Sequence, residues 1–217
     1  MCTLYADIAA KEAHQRIFGV ENEFDATGNL APMPAIFPDG IAPVVFNQDG
    51  KRHMAKMRWG FPGPPNAGNR PVVNVRNTAS GFWKPWLKPE QRALIPATSF
   101  SEWTDSTPKV IHWFALSEDR PLFAFAGIWR KWTGERGTVK DRVSGAHLLF
   151  SFLTTDSGDD VKPIHSKAMP VILRTKEECS AWLEAPVAEA LPMQRPLPGG
   201  SLKIVAKGAR SDGAISG

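Results

Sequence analysis

Two cysteines in 217 residues cannot build a disulfide framework, and a reduced, cytoplasmic setting fits best. No apolar run is long enough to span a bilayer, so no membrane partner is expected. The stretch MCTLYADIAAKEAH acquires charge too early for the apolar core of a secretory signal. Metal motifs are missing as well. There is no C-x-x-C and no H-E-x-x-H, and His14, His53, His112, His147 and His165 show no ligand spacing, so neither metal nor cofactor is expected. Nothing repeats, and no linker divides the chain. What is present is globular: 42% hydrophobic and 22% charged residues, with 8 Trp and 12 Phe, ample for one core. The 18 glycines and 19 prolines count against a helical bundle, because both interrupt regular elements. A net charge of +4 and a pI of about 9.2 favour anionic partners modestly. The basic groups Lys51, Arg52, Lys56, Arg58 and Arg130, Lys131, Arg136, Lys140, Arg142 read equally as solvated surface or as phosphate-tracking cations.

The patterning predicts an α+β fold: a single β-rich domain over residues 2–210 and a disordered tail from 211 to 217. Lys11–Phe18 reads as a short amphipathic helix ending near Gly19, and residues 22–44, rich in breakers, as irregular. Val44–Phe46, the turn Asn47–Gly50 and a strand from Arg52 to Trp59 form a hairpin signal. Gly60–Pro71 is a loop, and the alternation after Pro71 predicts a half-buried strand to Asn77. Further strands are expected at Arg92–Pro96, Val110–Leu116, Leu122–Trp129 (mostly apolar, hence central), Ala146–Thr154 and Leu202–Lys207. Thr133–Gly145 reads as an exposed hairpin loop. Thr175-Lys-Glu-Glu178 has capping-box spacing, and Cys179, Trp182 and Leu183 share the face of the helix it opens, so Cys179 reads as a core thiol.

The chemistry centres on Met1-Cys2. Cysteine is small enough for removal of a preceding initiator methionine, which would leave a terminal amine and a thiol on adjacent carbons. Such an amine has a pKa of about 7.7–8.0, so part of it is neutral near pH 7, and the thiolate is a strong nucleophile. An aldehyde meeting both groups gives an imine that sulfur closes into a five-membered thiazolidine. Three polar residues stand in apolar or aromatic settings: Asn74 inside a strand, Glu102 just past a proline-marked strand end, and His165 ahead of Val171–Leu173. Singly they read as an edge amide, an exposed loop carboxylate and an ordinary hydrogen-bonded imidazole. Together they are the groups that move protons around a nucleophile. A Glu beside Phe100 and Trp103 would be partly desolvated, with a raised pKa.

The segments Met1-Cys2, Asn29-Leu-Ala-Pro32, Trp59-Gly60, Val73-Asn-Val-Arg76, Leu94-Ile-Pro-Ala97 with Ser101-Glu-Trp103, and Ile164-His165 through Met169–Leu173 occur in that order. As an ordered set they resemble the SOS-response-associated peptidase family, whose members process abasic sites and crosslink to DNA. The resemblance implies barrel-like antiparallel sheets with a few peripheral helices, and a positive groove for single-stranded DNA containing abasic sites. It implies that Cys2 traps the open sugar aldehyde; a monomer is expected. Asn74 would position the terminus and the sugar, Glu102 would donate and accept protons, and His165 would be the neighbouring acid–base group, also tied to crosslink reversal. Arg76 and Lys167 fall where the family places phosphate-binding cations, Lys167 without the bidentate fork of arginine. Trp103 and Pro32 join the expected DNA-binding set. Thr3-Leu4 replaces the usual Gly-Arg after Cys2, and Asn77 replaces the expected acidic or polar neighbour. Prolines replace Trp after Trp59-Gly60, leaving Arg70 as the one stacking substitute. Two other readings stay open: a cysteine hydrolase using Cys2, Glu102 and His165, and a non-covalent reader of modified single-stranded DNA.

Overall fold

The computed structural model describes residues 2–63, 71–137 and 140–213. Among these described residues thirteen strands follow in chain order: β1 (Tyr5–Asp7), β2 (Met33–Ile36), β3 (Ile41–Gln48), β4 (Lys51–Trp59), β5 (Asn74–Val75), β6 (Arg92–Ala97), β7 (Ser99–Trp103), β8 (Ile111–Ala115), β9 (Phe123–Arg136), β10 (Val143–Thr155), β11 (Met169–Pro170), β12 (Ile172–Leu173) and β13 (Lys203–Lys207). Helices α1 (Lys11–Phe18), α2 (Lys176–Glu184) and α3 (Val187–Ala190) lie between them. A five-stranded sheet runs β13-β8-β7-β1-β2. The larger sheet runs β10-β4-β3-β6-β9, and β9 pairs back onto β10, closing a five-stranded barrel. The single β-rich domain and its peripheral helices are as the sequence predicts. The barrel is not wholly antiparallel, however: β10 pairs in parallel with β4 and with β5.

Closure explains why the strands read as nearly continuous apolar runs. Side chains alternate across a strand, and both faces of this sheet are covered. Val44, Trp59, Ile95, Phe125 and Phe150 of all five barrel strands meet in one cluster, which Tyr5, Phe100 and Phe114 of the small sheet continue. The alternate residues Val45, Leu94, Ala126 and Leu149 face outward, against Phe18 and against Cys179, Trp182 and Leu183 of α2. Gly127 is required inside the barrel: a Cβ there would lie 2.7 Å from Ile95 Cγ1.

Several expectations need correction. Residues 22–44 are not irregular throughout, because β2 and the start of β3 fall there. Pro34 is tolerated because β2 is an edge strand, and Pro43 because β3 meets β6 only at Val45 and Phe46. The predicted strand Pro71–Asn77 shrinks to β5 and a bridge from Val72 to Phe61. Thr133–Gly145 is not one loop: β9 and β10 stay paired out to Val143 opposite Arg136, which is fastened to Asp39 and to the Gly60 carbonyl. The predicted disordered tail begins too early. Asp212 is buried, accepts a 2.5 Å bond from Ser99 Oγ and is held by Arg120. Residues 214–217 lie outside the described residues. Among the described residues, no helix is long and apolar enough to cross a membrane.

Two buried polar groups tie the helices to the sheets. In α1, His14 Nε2 lies 2.7 Å from Asp7 Oδ2 of β1, while Nδ1 lies 2.9 Å from the Ala10 carbonyl. Arg92 of β6 is fully buried and donates to the carbonyls of Leu87 at 3.0 Å and of Trp182 and Ala185 at 2.5 Å each. The last two acceptors belong to the C-terminal end of α2, whose final carbonyls have no partner within the helix. Arg92→Ala leaves these acceptors without a donor and opens a cavity, so a loss of about 3–5 kcal/mol is expected in urea unfolding.

Candidate active site

Cys2 is brought to the site by strand register. Tyr5 pairs with Phe100 and Ala6 with Ser99, and the bond from Ser101 N–H to the Leu4 carbonyl at 3.0 Å carries the pairing beyond β1. The chain before β1 therefore runs back alongside the end of β7, which carries Glu102. The Cys2 side chain is fully buried in the barrel cluster, and its Sγ lies 3.6 Å from the Leu4 carbonyl. Burial, reinforced by the negative charge of Glu102, pushes this thiol well above its ordinary pKa. Cys2 is held as a protonated thiol, and a base must relieve it of its proton before sulfur can act as a nucleophile.

Glu102 is desolvated, as its aromatic neighbours predict, and the exposed-loop alternative falls: it lies within β7, a strand the sequence reading did not foresee, and is only 2% exposed. Burial raises its pKa to about 8, with a smaller contribution from Asp105. At neutral pH it is a carboxylic acid able to give up a proton, and once ionised it is a base of matching strength. His165, also buried, stands with Nε2 3.6 Å from Glu102 Oε2. Its Nδ1 lies 3.2 Å from the Trp103 carbonyl and 3.4 Å from Asp105 Oδ1. Burial lowers the pKa of the imidazole, so the ring is neutral near pH 7.

Asn74 reaches the same interior by a different route. In β5 it is the parallel partner of Phe152, a residue of the barrel cluster, while its neighbour Val75 pairs with Leu153 and faces outward. Neighbouring residues of a ladder share a face, so the Asn74 amide is directed toward the face that holds Cys2. Among the described residues, neither its Oδ1 nor its Nδ2 has a hydrogen-bond partner, although both are buried. Tyr5 Oη and Thr154 Oγ1 are buried without partners too. Each such group costs about 1–3 kcal/mol, so the barrel interior carries polar capacity that the fold itself does not use.

The predicted DNA-binding set is more scattered. Trp103 is 38% exposed and adjoins Glu102 in β7. Lys167 is exposed two residues past His165 and bears electrostatically on it. Arg76 follows β5 but is ion-paired with exposed Asp156. Pro32 is exposed just before β2, and Arg70 lies outside the described residues. Sequence reasoning missed Asp105, Tyr5, Thr154 and His112, the cross-strand partner of Glu102. Only the spacing from Glu102 to Asp105 offered a signal, and only the loop that folds Asp105 against Ser166 gives it meaning.

A small closed barrel with a thiol, a carboxyl group and an imidazole gathered at its edge defines a β-barrel protein with a cluster of buried titratable groups. Comparison with known proteins makes this specific. The family profile for SOS response associated peptidase (SRAP) matches residues 1–206, and the chain belongs to that family. It is 30% identical over 172 residues to the abasic site processing protein YoqW of Bacillus subtilis, covering 75% of this chain and 69% of the relative. It is likewise 30% identical over 178 residues to YoaM of the same species, also named an abasic site processing protein, covering 76% and 69%. A crystal structure from Bordetella bronchiseptica superposes with a TM-score of 0.72 at 22% identity, covering 96% of this chain and 99% of that one. One from Bacteroides thetaiotaomicron gives 0.70 at 21% identity, covering 93% and 90%. These two establish the fold.

Proposed function

We propose that this protein processes abasic sites in single-stranded DNA by forming a covalent thiazolidine through Cys2, once Met1 has been removed. One observation carries the reading: a buried thiol at position 2 shares its surroundings with a carboxyl group of pKa about 8 and a neutral imidazole, and the buried Asn74 amide, on the barrel face of Phe152, has no hydrogen-bond partner among the described residues. The relatives YoqW and YoaM, both named abasic site processing proteins, support the substrate. The basic groups and half-exposed Trp103 suit a single strand, whose sugar reaches an interior site more easily than one within a duplex.

The proton accounting closes. Protonated Glu102 gives its proton to the ring oxygen of the closed sugar while the C1 hydroxyl gives its own to neutral His165, so that the hemiacetal opens to the aldehyde. The Cys2 amine adds to that carbon, and water leaves to give the imine. The imidazolium returns its proton to the imine nitrogen, and sulfur adds to the C=N carbon as its own proton passes to the Glu102 carboxylate, which restores the acid and leaves a neutral thiazolidine N–H. His165, 3.6 Å away, is placed to share that proton. Asn74 supplies a donor and an acceptor for the sugar oxygens.

The test is intact-mass analysis with a denaturing gel. Protein mixed with an abasic oligonucleotide should give a heat- and detergent-resistant species. Its mass should be the sum of the Met1-less chain and the DNA, less one water. Intact DNA should give none. A chain shown to start at Cys2 that yields no adduct overturns the proposal.

A further inference from the structure

We propose that Asp105, held in place by Ser166, is a positioning residue that keeps the proton of His165 on Nδ1 and turns its lone pair, on Nε2, toward Glu102. The chemical meaning of this assignment rests on the proposed crosslinking function; its geometry does not.

Nδ1 lies 3.2 Å from the Trp103 carbonyl and 3.4 Å from Asp105 Oδ1. A carbonyl and a carboxylate only accept, so this nitrogen must carry the hydrogen, and the ring's basic lone pair is left at Nε2. That atom faces Glu102 Oε2 at 3.6 Å. A protonated Glu102 can then donate to it, and an ionised Glu102 can receive its proton back through the same contact.

Asp105 is itself fixed. Its Oδ2 accepts from Ser166 N–H at 2.8 Å and from Ser166 Oγ at 2.6 Å, and its own N–H donates to the Ile164 carbonyl at 2.9 Å. These bonds join the segment after β7 to the segment carrying His165, on either side of the imidazole. The bonds from Ser166 also hold the carboxyl below its ordinary pKa, so it stays ionised throughout the neutral range. Its side chain is 43% exposed, so truncation empties no core space. The titratable and charged groups that face the ring are Glu102 and Asp105 from β7 and its following loop, Lys167 from the ring's own loop, and the amino terminus. His112 of β8 lies across the strand from Glu102. Lys167 and the amino terminus oppose the imidazolium, and Asp105 favours it.

Asp105→Asn is the informative change. Its amide oxygen can still accept from Ser166 N–H, which turns the amide N–H₂ toward Nδ1 and favours the tautomer protonated at Nε2. Full-length protein with ¹⁵N-labelled histidine should show neutral His165 protonated on Nδ1. Asp105→Asn should move the population toward Nε2–H and lower the His165 pKa. Its crosslinking should slow about tenfold, and the acid limb of the pH–rate profile should move to lower pH. Asp105→Ala, which leaves the Trp103 carbonyl of the two acceptors, should move part of the population to Nε2–H, less than Asp105→Asn does, and shift the acid limb in the same direction. A wild-type ring protonated on Nε2, or an Asp105→Asn spectrum and pH profile identical to wild type, would overturn the assignment. If the tautomer shift appears while the wild-type protein forms no adduct, the positioning role of Asp105 stands and the crosslinking function falls.

Discussion

Cys2→Ala should abolish the heat-stable adduct while leaving the barrel folded. The thiol contributes one 3.6 Å contact to the Leu4 carbonyl and fills a small, fully buried volume. Its removal should therefore cost only about 1–2 kcal/mol, and circular dichroism should be unchanged. Chemically the loss is complete, because without sulfur nothing can close on the imine carbon. The variant also separates the two nucleophiles. Once Met1 is removed, its N-terminal alanine retains the amine. Borohydride should then still trap an imine with abasic DNA, and omission of the reductant should leave no product on a denaturing gel. A heat-stable adduct from unreduced Cys2→Ala would place the covalent bond on another residue.

Glu102→Gln should have opposite effects on activity and stability. Glutamine keeps the shape but can neither donate the proton that opens the sugar nor take the one leaving sulfur, so crosslinking should slow by about 10²–10⁴-fold. Stability should rise. The folded-state pKa of Glu102 is about 8, against 4.5 for an ordinary glutamate, and burial is the main cause. Between those values the folded form holds a proton that the unfolded chain has released. Stability therefore falls as pH rises through that window. Glutamine removes this dependence. The variant should be more stable than wild type at pH 8, by an amount on the order of a few kcal/mol, and the difference should vanish near pH 4. Thermal melts across pH 4–8 decide it: parallel wild-type and variant curves would mean that Glu102 is ionised in the folded protein.

Both arguments use residues whose type was legible in the sequence but whose surroundings were not. Glu102 follows two aromatic-flanked positions in Ser99–Trp103, which was enough to predict desolvation, yet a short polar-flanked run looked like a loop. It became a strand because β7 is sandwiched between β1 and β8, where pairing partners supply what local propensity does not. The same holds for Met33–Ile36, where prolines argued against a strand and an edge position permitted one. Helix α2 was legible because its cap is local: Thr175 Oγ1 accepts from Glu178 N–H, and the Glu178 side chain accepts from Arg174 N–H. Asp105 was not legible, since its partners Ser166 and His165 lie about sixty positions away.

The sequence alone determined the period-2 apolar strands, the caps and turns, and the ordered segments that resemble the family. These are properties of neighbouring residues, and short-range sterics and hydrogen bonding enforce them. Only the tertiary structure decided that β9 closes on β10, that Cys2 and Glu102 share one buried environment, and that Asp105 reaches His165. Proton affinities and tautomers depend on what surrounds a group in space, and chain order does not contain that information until the barrel has closed.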